Sequence, residues 1–126
     1  MSENYVAGTC NIGKKEKRKR LIIGILGTIV TIHLSLYFII STYKWIMLIW
    51  LFVAAFYSTL CLVQAFSKFC VYFAYKHLFN FGELNQPKND VENIDFIKKD
   101  IKKAQKLILI SFIISLLWCI LIYNLS

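Results

Sequence analysis

Charge disappears abruptly along this chain. After the basic run Lys14-Lys15-Glu16-Lys17-Arg18-Lys19-Arg20, no Lys, Arg, Asp or Glu occurs from Leu21 to Ile40. Two further stretches, about Trp45–Phe66 and Leu107–Tyr123, are equally bare, and Leu125 extends the third and shortest of them. A helix rises about 1.5 Å per residue, so roughly twenty apolar residues cross about 30 Å of hydrocarbon. Ile, Val and Thr are abundant here and would favour strands in water. In hydrocarbon a backbone must satisfy its own hydrogen bonds, so the pattern predicts three spanning helices. The short link Ser41–Lys44 makes the first two antiparallel neighbours.

Between the second and third stretches the pattern changes twice. Ser67–Leu84 is rich in aromatics but carries Lys68, Lys76 and His77. At about 100° per residue, Phe66, Phe69, Cys70, Phe73, His77, Phe81 and Leu84 share one face, with Lys68, Tyr72, Tyr75 and Lys76 opposite. That periodicity predicts an interfacial amphipathic helix or a bent continuation of the second span. A fourth crossing is disfavoured, because a lysine at mid-bilayer costs about 2.5–3.5 kcal/mol. Gly82 and Asn85-Gln86-Pro87 then break the chain, and Asn89 with Glu92 reads as a capping box opening a new helix. Its acids (Asp90, Glu92, Asp95) come early and its lysines late, as the helix dipole favours. Ile94, Ile97, Ile101, Ala104 and Ile108 form a seam running into the third span. The seam suits packing on the aromatic helix before it better than a coiled coil, since fewer than three heptads are present.

The fold class expected is therefore all-α: a multi-pass membrane protein with three transmembrane helices, an interfacial helix and a helical extension before the third span. Its organisation reads as a basic cytoplasmic tail over 1–20, mobile over Met1–Gly13, a transmembrane hairpin over 21–66, a cytoplasmic amphipathic and basic segment over 67–106, and a third span over 107–126. The first span exceeds a signal-peptide core and no Ala-x-Ala-like site follows it, so it reads as uncleaved.

Composition sharpens this picture. Among 126 residues, 58% are hydrophobic, above the 45–50% usual for soluble domains. The net charge of +8 would suggest nucleic acid on a soluble surface, but the basic residues flank the spans, which topology itself demands. Lys44 stands alone on one side. The positive-inside rule thus places the N-terminus and the long loop in the cytoplasm of a cell membrane and the C-terminus outside. Tyr37, Tyr43, Trp45, Trp118 and Tyr123 mark the outer interface. On the inner side Lys14, Lys15, Lys17, Arg18, Lys19, Arg20, Lys102, Lys103 and Lys106 are the candidates for contact with anionic lipid headgroups.

Candidate chemistry is sparse. His33 is the one ionisable side chain, cysteines aside, well inside a span, and it lies at the depth of Cys119. Two such ligands fall short of the four of a structural zinc site, so packing and hydrogen bonding to hydroxyls fit better. Cys10, Cys61, Cys70 and Cys119 form no disulfide framework or zinc spacing. Cys10, near Lys14 and Lys15, is the more reactive candidate; Cys70 is placed on one face with His77 and reads as a small hydrophobe. Gln64 reads as a hydrogen-bonding residue. Ala54/Ser58, Ala55/Thr59 and Ser111/Ser115 allow close helix approach. Phosphate-loop, His-Glu-x-x-His and Gly-x-Ser-x-Gly signatures are missing, and no cofactor is implied.

The leading expectation is a non-enzymatic scaffold, accessory subunit or assembly factor with a membrane-protein partner or a second copy of itself. A homo-oligomeric channel lined by Thr28, Thr31, His33 and Ser35 is the second expectation. A thiol-redox or metal protein using Cys10, Cys70, His77, or His33 with Cys119, is the third.

Overall fold

The computed structural model describes residues 6–79 and 89–126. Its elements run α1 (Lys14–Ile40), α2 (Lys44–Ser67), α3 (Val71–Tyr75), β1 (Leu78–Phe79), β2 (Asn89–Asp90) and α4 (Ile94–Leu125). The long helices α1, α2 and α4 are each long and apolar enough to cross a membrane. Only 22% to 28% of the apolar stretch of each is buried inside the bundle, so the remainder requires lipid as its solvent. The chain is a multi-pass helical membrane protein. α4, at 32 residues, is about 48 Å long and outreaches the hydrocarbon. Its charged first turns are the helical extension anticipated before the third span.

Glycine and hydroxyl residues draw α1 and α2 together. A Cβ on Gly27 would stand 2.8 Å from Ser58 Cβ and 3.3 Å from Ser58 Cα, and one on Gly24 would stand 3.1 Å from the Leu62 amide nitrogen. Neither position tolerates a side chain at this spacing. Of the small-residue pairs, Ala55, Ser58, Ser111 and Ser115 turn inward and are buried. At the far end Phe38, Leu51, Cys119 and Ile122 form a core joining all three helices. Phe52 meets Phe112 edge-on at 5.5 Å between ring centroids.

The link between α1 and α2 is as short as anticipated. Ser41 N–H donates to Phe38 O, and the Ser41 hydroxyl accepts from Tyr43 N–H. Lys44 Nζ donates to Phe38 O at 2.8 Å and Ile39 O at 3.2 Å, capping the carbonyl end of α1, where a cation is favoured.

The other end departs from expectation in three places. The non-spanning helix is present, but α3 covers five residues rather than the anticipated 67–84. α2 ends in a Schellman motif: Lys68 takes a left-handed conformation, its N–H reaches Ala65 O, and Phe69 N–H reaches Gln64 O. His77 is left-handed too, with φ of 58°. These breaks reset the helical register. Phe69, Cys70 and Phe73 are buried as the pattern implied, whereas Phe66 and His77 are exposed. Phe81, Gly82, Leu84 and Asn85-Gln86-Pro87 lie outside the described residues.

Second, the cap of α4 is Asn93, whose Oδ1 accepts from Asp95 N–H and Phe96 N–H. Asn89 of the anticipated capping box lies instead in β2, opposite Phe79. Third, the buried face of α4 is Asp100, Ala104, Leu107, Ser111, Ser115, Cys119 and Ile122, rotated from the isoleucine seam. Ala104 and Leu107 pack on Phe69 and Ala74, which is the anticipated association with the aromatic segment.

Candidate functional site

The most elaborate polar structure lies at the basic end, where all three long helices meet the N-terminal segment. That segment is not the free tail expected from its composition. Val6 and Cys10 close a tight turn through paired backbone hydrogen bonds, with Gly8 at φ of 70°. Gly8 N–H donates to Asp100 Oδ1 at 2.8 Å. Asn11 acts as a surrogate strand toward Cys70: Cys70 N–H donates to Asn11 Oδ1 at 2.7 Å, and Asn11 Nδ2 donates to Cys70 O at 3.1 Å. Ile12 is buried against Cys70 and Phe73.

Beneath this strap sits an ion pair. Glu16 and Arg20 share one face of α1 at i,i+4, the order that favours pairing. Arg20 Nη1 donates to Glu16 Oε2 at 2.6 Å and to Glu16 O at 3.1 Å, while Nη2 donates to Cys70 Sγ. The guanidinium also lies 5.5 Å from the Phe73 ring centroid, a cation–π distance. Arg20 stands one residue before the apolar stretch. Burial opposes its charge, but Cys70 and Glu16 outweigh that and raise its pKa above the ordinary arginine value. The guanidinium is therefore a permanent cation clamped between α1 and the α2–α3 corner. Gln64 completes the corner: its Oε1 accepts from Val71 N–H and its Nε2 donates to Leu60 O, the bonding role expected of it.

Comparison with known protein families, with curated proteins and with solved structures finds no match for this chain. The residues themselves must carry the functional reading.

The expected pairs are not assembled. His33 and Cys119 each lie twelve residues, about 18 Å, from the start of their apolar stretch. They point differently. Cys119 is buried in the three-helix core, whereas His33 is exposed on the outer face of α1. His33 Nδ1 lies 2.8 Å from Ile29 O, and a carbonyl only accepts, so Nδ1 carries the proton and Nε2 presents a lone pair outward. Cys70 and His77 do not share a face either, because α3 ends between them; Cys70 is buried and His77 exposed. Cys10 is half-buried in the Val6–Cys10 turn. Among the described residues no group of three or more His, Cys, Asp and Glu is placed to hold a metal ion.

Nor do Thr28, Thr31, His33 and Ser35 line one path. Thr31 and Ser35 are buried inside the protomer, opposite in direction to His33. Thr28, Thr31 and Ser35 donate to the carbonyls of Gly24, Gly27 and Thr31, respectively. Trp118 Nε1 donates to Ser35 Oγ at 3.0 Å, tying α4 to α1. A cavity of about 240 Å³ opens beside them, walled by Thr28, Thr31, Ser58, Thr59 and Trp118. Its hydroxyls on Thr28, Thr31 and Ser58 donate to helix carbonyls and so offer a solute their acceptor lone pairs.

Among the basic residues, Lys14, Lys15, Arg18, Lys19, Lys102 and Lys106 are exposed and Lys17 and Lys103 half-buried, whereas Arg20 turns inward to Glu16 and Cys70. Asn11, Glu16 and Asp100 were not singled out by the sequence pattern, yet all are buried. Two carried a signal. Asp100 occupies the apolar stripe of α4, four residues before Ala104 and seven before Leu107, and Glu16 is the lone acid in a basic run. Asn11 carried none, because its partners are backbone groups 59 positions away.

Proposed function

We propose that this protein is a non-enzymatic membrane scaffold or accessory subunit that binds a span of another membrane protein through the outer face of α1. The observation that carries the reading is His33. Its Nε2 acceptor is aimed into a region where an unsatisfied polar group costs several kcal/mol. Exposed apolar residues surround it on the same face: Leu26, Ile29, Val30, Leu36, Tyr37 and Ile40. A partner helix that brings a hydroxyl, indole or amide donor to His33 relieves the cost. Two copies meeting symmetrically at His33 would set acceptor against acceptor, so a different protein fits better.

Interhelical hydrogen bonds in membranes contribute about 0.6 kcal/mol on average and at most about 1.7. His33→Leu should therefore weaken copurification in gentle detergent about threefold to twentyfold. Leu117→Ala, on the exposed face of α4, should leave it unchanged. A photoreactive group at position 36 should crosslink to a second polypeptide at native expression. Recovery of a solitary monomer under those conditions, or crosslinking to copies of this chain alone, overturns the reading.

In this reading the basic end faces the cytoplasm, because Lys44 is the single cation of the opposite end and is itself engaged in capping α1. A reporter active only in the cytoplasm should work when fused ahead of Met1 and fail when fused after Ser126. The opposite pattern rejects this orientation.

A further inference from the structure

A second cluster of cations lies apart from the Glu16–Arg20 pair. Lys99, Lys102, Lys103 and Lys106 follow one another at i, i+3, i+4 and i+7 and so share one face of α4. With Ala7 and Gly8 of the strap above them and Leu109 below, they line a cavity of about 590 Å³. The strap passes close only because residue 8 is glycine: a Cβ there would stand 3.2 Å from Lys99 Cβ, on a backbone of positive φ. Asp100, the acid amid these lysines, is fully buried and accepts from Gly8 N–H. Among the described residues none of the four ammonium groups has a carboxylate partner.

We propose that this cavity is a binding site for one anionic phospholipid. The phosphate sits among Lys99, Lys102, Lys103 and Lys106, and an acyl chain descends over Leu109 along the exposed apolar side chains of α4. Charge complementarity supplies the first half of the argument, since four clustered cations with no carboxylate partner among the described residues repel one another until an anion enters. Position supplies the second. Leu109 is the third residue of the apolar stretch that opens at Leu107, so the cavity straddles the boundary at which lipid phosphates lie. A soluble anion would have no use for the apolar lower wall. The inference stands apart from the partner surface of α1 and requires only that α4 cross the membrane.

The test is native mass spectrometry of the full chain, released from detergent after equilibration with equal amounts of dioleoyl phosphatidylglycerol and dioleoyl phosphatidylcholine. One phosphatidylglycerol should be retained in preference. Lys102→Gln with Lys106→Gln should weaken that retention about thirtyfold, at roughly one power of five per cation. Both lysines are exposed, so thermal unfolding without lipid should not change. Lys68→Gln with Lys76→Gln, which removes the same charge from exposed positions outside the cavity, should alter retention by less than about threefold. Millimolar inorganic phosphate should not displace the lipid. Equal loss in both double variants means diffuse attraction and overturns the proposal. Displacement by phosphate, or equal retention of phosphatidylcholine, overturns it as well.

Discussion

Arg20→Met is expected to lower the stability of the bundle by about 3 kcal/mol, and Glu16→Met in the same chain is expected to restore most of that loss. The reason is the depth of the pair. Glu16 is 3% exposed, and Arg20 supplies it with a charge-assisted hydrogen bond at 2.6 Å. Removing the guanidinium takes a charge-assisted hydrogen bond from a carboxylate held out of water, and desolvation then dominates. Arg20 also reaches Cys70 Sγ and the Phe73 ring, so its loss loosens α1 from the α2–α3 corner. With both residues apolar, no charge is stranded and methionine side chains fill comparable space. Reversible unfolding in mixed micelles with increasing denaturing detergent measures all three chains. A single variant as stable as the parent, or a double variant as weak as the single, contradicts this account.

The second large effect belongs to Asn11. Asn11→Ala removes the acceptor of Cys70 N–H and the donor to Cys70 O in one step. Cys70 N–H is left unsatisfied, at about 1–3 kcal/mol. Cys70 O loses one bond worth about 0.5–1.5 kcal/mol while keeping Ala74 N–H, so roughly 2–4 kcal/mol is lost from docking of the strap. The loss is local because residues 6–13 precede α1 and can detach while the bundle persists. Amide hydrogen exchange over 6–13 and at Cys70 should accelerate by at least about thirtyfold, while α2 and α4 keep their protection. Cys70, 2% exposed beneath Ile12, should become open to a maleimide reagent. Asn11→Asp keeps the acceptor but sets a buried carboxylate oxygen against Cys70 O, so it should not restore the protection. Unchanged labelling of Cys70 in Asn11→Ala would falsify the strap.

Loss of the strap has a bearing on both proposed surfaces. It lines the lysine cavity through Ala7 and Gly8, and it precedes α1 at the end remote from Leu36 and Ile40. Lipid retention and partner binding are thus separable by one substitution.

The three long helices, their ends near Ile40 and Lys44, and the extension into α4 were readable because each rests on a local and repeated property. A run of uncharged residues has one low-energy backbone in hydrocarbon, whatever it packs against. Small residues four apart marked surfaces able to approach closely, and of these Ala55, Ser58, Ser111 and Ser115 are buried while Ala54 and Thr59 are half-buried. The α3 region was less readable because a helical wheel presumes an unbroken register, and left-handed Lys68 and His77 interrupt it without a glycine to announce them.

Orientation about the helix axis is a different matter. Depth along a span can be counted in residues, so His33 and Cys119 were placed at one level from their numbers alone. Which way each points depends on where neighbouring helices lie, and there His33 lies exposed on the outer face of α1 while Cys119 enters the core. The same holds for Asn11, Glu16 and Asp100. A polar residue near a membrane boundary is cheap to leave in water, and it becomes buried only where folding brings a complementary group from far along the chain. Solvent preference is written residue by residue and so is legible in one dimension; pairing across Gly8–Asp100, Asn11–Cys70 and Arg20–Cys70 exists only once the helices have packed.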